Sequence, residues 1–169
     1  VRARIARDLR TALPEGQFQV VYQPITNLQT GLVQKAEALL RWHHPLHGPI
    51  APDVFIPIAE ETGLINDIGR WVFETAARQA QRWRQTLHPE FQISINQSPA
   101  QFREDSPQGE TWTDFLTKLD LPGSSVVFEI TEGLLVDASA STRNYLKHLH
   151  AAGIQISLDD FGTGYSALS

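Results

Sequence analysis

The sequence predicts an α/β fold in which a mostly parallel sheet is built from strand–helix units. Segments rich in β-branched residues alternate with amphipathic helical segments along the chain, an order typical of βαβ units. Proline and glycine mark the segment boundaries, as Pro52 and Gly63 do for one short helix,. This pattern leaves two architectures open, an open doubly wound sheet and a closed (β/α) barrel.

The segments can be assigned in order along the chain. A sparse apolar stripe among arginines predicts a solvated lead-in helix or linker over residues 1–16, followed by a domain over residues 17–169,. Residues 18–23 and 32–42 predict two strands that pair as a hairpin,. Further strands are predicted at residues 91–96, 126–131 and 154–158, and further helices at residues 52–62, 65–86, 111–119 and 137–152, the last with Asp137 as its N-cap,.

The composition narrows the class of protein. Hydrophobic residues make up 41% of the chain and charged residues 20%, as in ordinary globular proteins,. A net charge of −5 argues against nonspecific nucleic-acid binding, which needs a basic surface,. The absence of cysteine excludes disulfides and thiolate metal sites,. It fits the expectation of a cytoplasmic domain, whose parent protein could be membrane-anchored. No apolar run reaches the roughly 18 residues of a membrane span.

Polar residues recur at the ends of the predicted strands. Glu37, Asn96, Glu129 and Asp159 each lie near the C-terminal end of a different strand, at separations of 59, 33 and 30 residues. These ends converge on the active site in both candidate architectures. Together with Asp160 they would form an all-oxygen site, which suits Mg²⁺ or Mn²⁺ better than zinc.

Strand alternation adds a second candidate group. Leu39 and Arg41 share a strand face with Glu37, which makes Arg41 a candidate phosphate ligand,. Taken singly, each of these residues has an ordinary explanation as a helix cap, a salt bridge or a turn. Their repetition on successive strands favours a site. Three histidines in a proline-rich loop fit no zinc signature: His43, His44 and His47.

Several ordered motifs resemble the EAL domain family. They are Tyr22-Gln23-Pro24-Ile25, Glu37-Ala38-Leu39-Leu40-Arg41-Trp42, Phe55-Ile56-Pro57-Ile58-Ala59-Glu60, Asn96-Gln97-Ser98, Glu129-Ile130-Thr131-Glu132 and Asp159-Asp160-Phe161-Gly162-Thr163-Gly164-Tyr165-Ser166. The resemblance extends from about residue 18 to the end of the chain. It implies a TIM-like (β/α)₈ barrel with an antiparallel first strand, of which only the N-terminal two-thirds is present.

The resemblance also implies an activity and a set of residue roles. The activity is metal-dependent hydrolysis of cyclic di-GMP to linear pGpG, with two Mg²⁺ or Mn²⁺ ions binding the attacking water. The implied metal ligands are Glu37, Asn96, Glu129, Asp159 and Asp160, of which Glu37, Asp159 and Asp160 are catalytic. The implied substrate-binding residues are Gln23, Leu39 and Arg41, and Glu132 would anchor the loop 160–166 behind the ligands. A homodimer and an upstream sensory or GGDEF domain are expected partners.

Two departures from the family pattern keep alternatives open. Gln97 stands where the family usually has an apolar residue beside the metal-binding asparagine. The resemblance implies that the family's downstream lysine, a further glutamate and the last strands would lie beyond residue 169. The alternatives are therefore a non-catalytic cyclic di-GMP receptor or signalling module, and an inactive truncated fragment.

Overall fold

The computed structural model describes residues 2–102 and 111–159, with the backbone only of Asp159. Two 3₁₀ turns, Pro99–Phe102 and Gly123–Ser125, lie among the regular elements. The helices and strands of the described residues are α1 Arg2–Ala12, β1 Phe18–Thr26, β2 Val33–His44, β3 Gly48–Ile50, α2 Pro52–Thr62, α3 Ile65–Thr86, β4 Gln92–Asn96, α4 Trp112–Lys118, β5 Val126–Thr131, α5 Glu132–Val136, α6 Ala140–Ala151 and β6 Gln155–Asp159.

The strands form one sheet in the order β1-β2-β4-β5-β6, with the short β3 paired to β2. β1 runs antiparallel to β2, whereas β2, β4, β5 and β6 are mutually parallel. A tight turn can join only an antiparallel pair, and the parallel pairs need the helical crossovers that the chain supplies. The predicted α/β class and antiparallel first strand are confirmed.

The two faces of the sheet differ in chemistry. On one face, alternate residues of β2 such as Ala36, Ala38 and Leu40 are buried in a hydrophobic core with the helices. The apolar stripe of α3 enters the same core, where the Phe73 ring lies 5.8 Å from the Phe128 ring of β5. The other face carries the intervening residues of each strand, and it therefore holds Glu37, Asn96 and Glu129.

Several element boundaries follow from local sequence signals. α2 begins at Pro52, whose fixed φ suits a first helical turn,. It ends at Gly63, which adopts a left-handed φ of 77°, a conformation that favours glycine. The predicted bounds of α3 and β5 are confirmed residue for residue. Among the described residues, no helix is long and apolar enough to cross a bilayer.

One predicted cap is wrong. Asp137 does not begin a helix; it follows the last residue of α5. The next helix, α6, is capped instead by Ser139, whose side-chain oxygen accepts a hydrogen bond from the Thr142 backbone N–H. Aspartate and serine are both good N-caps, so the sequence alone did not show which of the two residues begins the helix.

The lead-in helix α1 is more closely packed than expected. Its arginines are mostly exposed, but Leu9 is only 1% exposed and Ala12 is fully buried in the main core. Asp8 on the same helix lies 3.3 Å from Nε2 of the buried His44 at the end of β2. The expectation of a solvated helix is therefore wrong for this buried face.

Candidate functional site

Two of the predicted metal ligands are in direct contact. Glu37 on β2 pairs in register with Ser94 on β4, and Asn96 lies two residues further toward the C-terminal end. The Asn96 Nδ2 donates a hydrogen bond of 2.9 Å to Glu37 Oε1. Asn96 is only 6% exposed, so this bond replaces hydration that burial has removed.

A third predicted ligand lies on the neighbouring strand. Glu129 of β5 pairs in register with Asn96, and its side chain is half-buried. Glu37, Asn96 and Glu129 therefore occupy three adjacent strands on one face of the sheet. The sequence spacing predicted this convergence, and the parallel register produces it.

The two aspartates lie at the limit of the described residues. The backbone of Asp159 ends β6, where it pairs with Thr131 of β5. The Asp159 side chain and the whole of Asp160 lie outside the described residues. Within those residues, no group of three or more histidine, cysteine, aspartate or glutamate side chains is placed to hold a metal ion. The described part of the site therefore holds two carboxylates and one amide.

The donors fit a hard divalent cation. All three present oxygen atoms, and their strands converge at one end of the sheet, which suits Mg²⁺ or Mn²⁺. A further polar group lies beside them, because the Ser94 hydroxyl is fully buried and has no hydrogen-bond partner among the described residues. An unpaired buried hydroxyl costs free energy in an apolar interior. Ser94 therefore adds a polar group to this face of β4, two residues before Asn96.

The predicted substrate-binding residues lie around Glu37. Gln23 of β1 is directly opposite Glu37 in the antiparallel pair and is exposed. Leu39 is buried, and Arg41 is half-buried and further along the same strand face. The Arg41 Nη1 donates a hydrogen bond of 2.9 Å to the Leu40 carbonyl. The structure thus places these three side chains on the face that carries the predicted ligands.

Glu132 is the first residue of α5 and is exposed. It follows β5 directly, three residues after Glu129. The loop 160–166 that it is predicted to anchor lies outside the described residues. Its role therefore stays a prediction.

A buried polar group that no sequence pattern predicted lies just after Asn96. The Ser98 hydroxyl donates a hydrogen bond of 2.6 Å to Glu60 Oε1 of α2. Gln101 Oε1 accepts a bond of 2.8 Å from the Ser98 backbone N–H. Glu60 and Ser98 both belong to motifs identified in the sequence, but their contact spans 38 residues and joins α2 to the turn after β4.

A family model described as "EAL domain" matches residues 6–169. The bifunctional diguanylate cyclase/cyclic di-GMP phosphodiesterase MucR of Pseudomonas aeruginosa is 39% identical over 165 residues, which cover 98% of this chain and 24% of that protein. The probable cyclic di-GMP phosphodiesterase PdeN of Escherichia coli is 37% identical over 168 residues, 99% of this chain and 32% of that protein.

A solved structure described as "PaMucR Phosphodiesterase, c-di-GMP complex" superimposes with a TM-score of 0.85 at 39% identity. The alignment covers 97% of this chain and 66% of that one. The chain spans only about a quarter to a third of the length of the curated relatives described above. The match supports the predicted fold, because EAL domains are TIM-barrel-like and the chain corresponds to part of such a domain.

Proposed function

The chain belongs to the EAL domain family, and from that premise we propose that it forms part of a metal-dependent phosphodiesterase that hydrolyses cyclic di-GMP to linear pGpG. The observation that carries the proposal is the bond between Asn96 Nδ2 and Glu37 Oε1. It joins two predicted ligands from separate strands at the end of the sheet where α/β enzymes build their sites. Relatives named as cyclic di-GMP phosphodiesterases support the choice of substrate.

The metal would be held by side chains from four neighbouring strands and the residue that follows the last of them. Glu37, Asn96 and Glu129 would supply oxygen ligands, together with Asp159 and Asp160. Two Mg²⁺ or Mn²⁺ ions bound there would activate a water molecule and offset the charge that develops on the phosphate. The Asn96 amide orients the Glu37 carboxylate through its Nδ2 hydrogen bond, which reduces the reorganisation that metal binding requires.

The substrate would lie across the same face of the sheet. We propose that the Arg41 guanidinium binds one phosphate, since its planar array of donors matches phosphate oxygens. Leu39 lies between Arg41 and Glu37 on this face and would provide an apolar floor for the substrate. Gln23, opposite Glu37 on β1, would contact the substrate from the neighbouring strand.

The proposed partners follow from the relatives. MucR is named as a bifunctional diguanylate cyclase and phosphodiesterase, and this chain covers 24% of it. We therefore propose an upstream sensory or GGDEF domain in the same polypeptide. A homodimer is proposed on the family resemblance, and its test is the mass of the full-length protein in solution.

The test is hydrolysis of cyclic di-GMP by the full-length protein and by Glu37→Gln, which removes the charge but keeps the side-chain size. We expect wild-type protein to yield pGpG and the variant to lose most of this activity. Glu61→Ala is the matched control, because Glu61 is exposed on α2 and pairs with Arg2 at the surface. Binding of cyclic di-GMP with no turnover in wild-type protein would identify a receptor and overturn the proposal.

A further inference from the structure

The turn that follows Asn96 is held by a buried polar network between β4 and α2. Ser98 is 1% exposed, and its hydroxyl donates a hydrogen bond of 2.6 Å to Glu60 Oε1. The Ser98 Oγ also accepts a hydrogen bond of 3.2 Å from the Ala100 backbone N–H. The Ser98 backbone N–H donates to Gln101 Oε1 at 2.8 Å. Side-chain groups therefore fix both the hydroxyl and the backbone of Ser98.

The direction of the hydroxyl proton explains why Glu60 matters. A serine hydroxyl has one proton and two lone pairs, so Ser98 can donate to Glu60 and accept from the Ala100 N–H at the same time. The Glu60 carboxylate binds that proton in a short bond of the charge-assisted kind,. Loss of Glu60 would leave a buried hydroxyl donor without its acceptor, an arrangement that costs free energy.

The network acts close to Asn96. Gln97 lies between Asn96 and Ser98, and its backbone N–H donates a bond of 2.9 Å to the Glu129 carbonyl of β5. The backbone that carries Asn96 is therefore fixed by β5 through Gln97 and by α2 through Ser98. The side chain of Asn96 is in turn bonded to Glu37. A shift of the Ser98 turn would move this amide relative to the carboxylate.

We propose that Glu60 and Ser98 are positioning residues, which set the direction of the Asn96 amide toward the metal ions. Neither residue is among the ligands, and both act through the backbone of the turn. The inference rests on the proposed metal-dependent function and adds two residues from outside the predicted site. It also assigns α2 a role in the site, since α2 carries Glu60.

Two pairs of variants separate the effect of the hydrogen bond from the effect of side-chain size. Ser98→Ala removes the hydroxyl, whereas Ser98→Thr keeps it. Glu60→Ala removes the acceptor, whereas Glu60→Gln keeps an oxygen acceptor but loses the charge. Glu61→Ala again serves as the control on the same helix.

The first measurement is the Mn²⁺ concentration that half-saturates hydrolysis of cyclic di-GMP by the full-length protein. We expect both alanine variants to raise it about tenfold, the lower end of the effect seen when groups behind metal ligands are removed. The double alanine variant should show the same shift as either single variant, because both act through one bond. KM for cyclic di-GMP at saturating Mn²⁺ should stay unchanged, and Glu60→Gln should fall between wild type and alanine.

The second measurement does not depend on activity. Amide hydrogen exchange without metal should be faster over residues 96–101 in both alanine variants, but not in Glu61→Ala. Unchanged exchange there, or an unchanged Mn²⁺ requirement in folded variants, would overturn the inference. If the alanine variants do not fold, the milder Glu60→Gln decides, and a wild-type Mn²⁺ requirement in it counts against the inference. Wild-type protein without turnover would refute the proposed function. The exchange experiment would still test whether Glu60 and Ser98 fix the backbone of residues 96–101.

Discussion

Replacement of Gln97 by leucine should make the protein more stable. Gln97 is only 4% exposed, and both its side-chain nitrogen and its side-chain oxygen lack a hydrogen-bond partner among the described residues. A buried amide without partners costs about 1–3 kcal/mol in protein mutational series. Leucine occupies a similar volume and has no polar atom, and volume-conserving replacements in cores are tolerated best.

The free energy of unfolding should therefore rise by about 1–3 kcal/mol in Gln97→Leu. Urea denaturation followed by circular dichroism measures this as a higher midpoint with an unchanged slope. Gln101→Leu is a matched comparison four residues away, because Gln101 Oε1 accepts from the Ser98 N–H. That variant leaves the Ser98 N–H unpaired but also removes the Gln101 Nε2, which has no partner among the described residues, so it should gain less stability than Gln97→Leu. A loss of stability in Gln97→Leu would refute the reasoning, since it would mean that a partner satisfies this amide.

Three further predictions concern packing, capping and pH. Gly69→Ala should change the free energy of unfolding by less than about 1 kcal/mol, because the added methyl group would displace only the end of the Gln101 side chain and alanine gains about 1 kcal/mol over glycine inside a helix; thermal melting checks this. Ser139→Ala should lower stability by about 1 kcal/mol through loss of the α6 cap,, seen as a lower urea midpoint. Burial raises the pKa of Tyr22 to about 12, so its contribution to stability is complete below pH 10 and is lost as the pH rises toward 12. The melting temperature of Tyr22→Phe should therefore fall less than that of wild type as the pH rises from about 10 to about 12,. An equal fall in both proteins would contradict the prediction.

The apolar periodicity and the positions of proline and glycine predicted much of the fold, because both act on the local conformation of the chain. α3 has an apolar stripe on one face, and Pro52 and Gly63 enclose α2. The site could also be predicted in part. Parallel strands bring their C-terminal ends together, so residues far apart in sequence, such as Glu37 and Asn96, become neighbours.

Other features depended on tertiary contacts that no local pattern carries. Leu9 and Ala12 are buried because α1 packs against the rest of the chain, although the arginines of α1 suggested a solvated helix. The bond between Glu60 and Ser98 joins residues of two separate motifs. Only the folded chain brings α2 to the turn after β4, where the two side chains meet.

The most direct test of the central claim is product analysis of cyclic di-GMP incubated with the full-length protein, with Mn²⁺ and with excess chelator. The residues at this end of the sheet are oxygen donors from adjacent strands, and Asn96 is bonded to Glu37. Metal-dependent hydrolysis predicts that pGpG accumulates with Mn²⁺ and that none forms with the chelator. Equal turnover in both samples, or intact cyclic di-GMP in both, would contradict the claim.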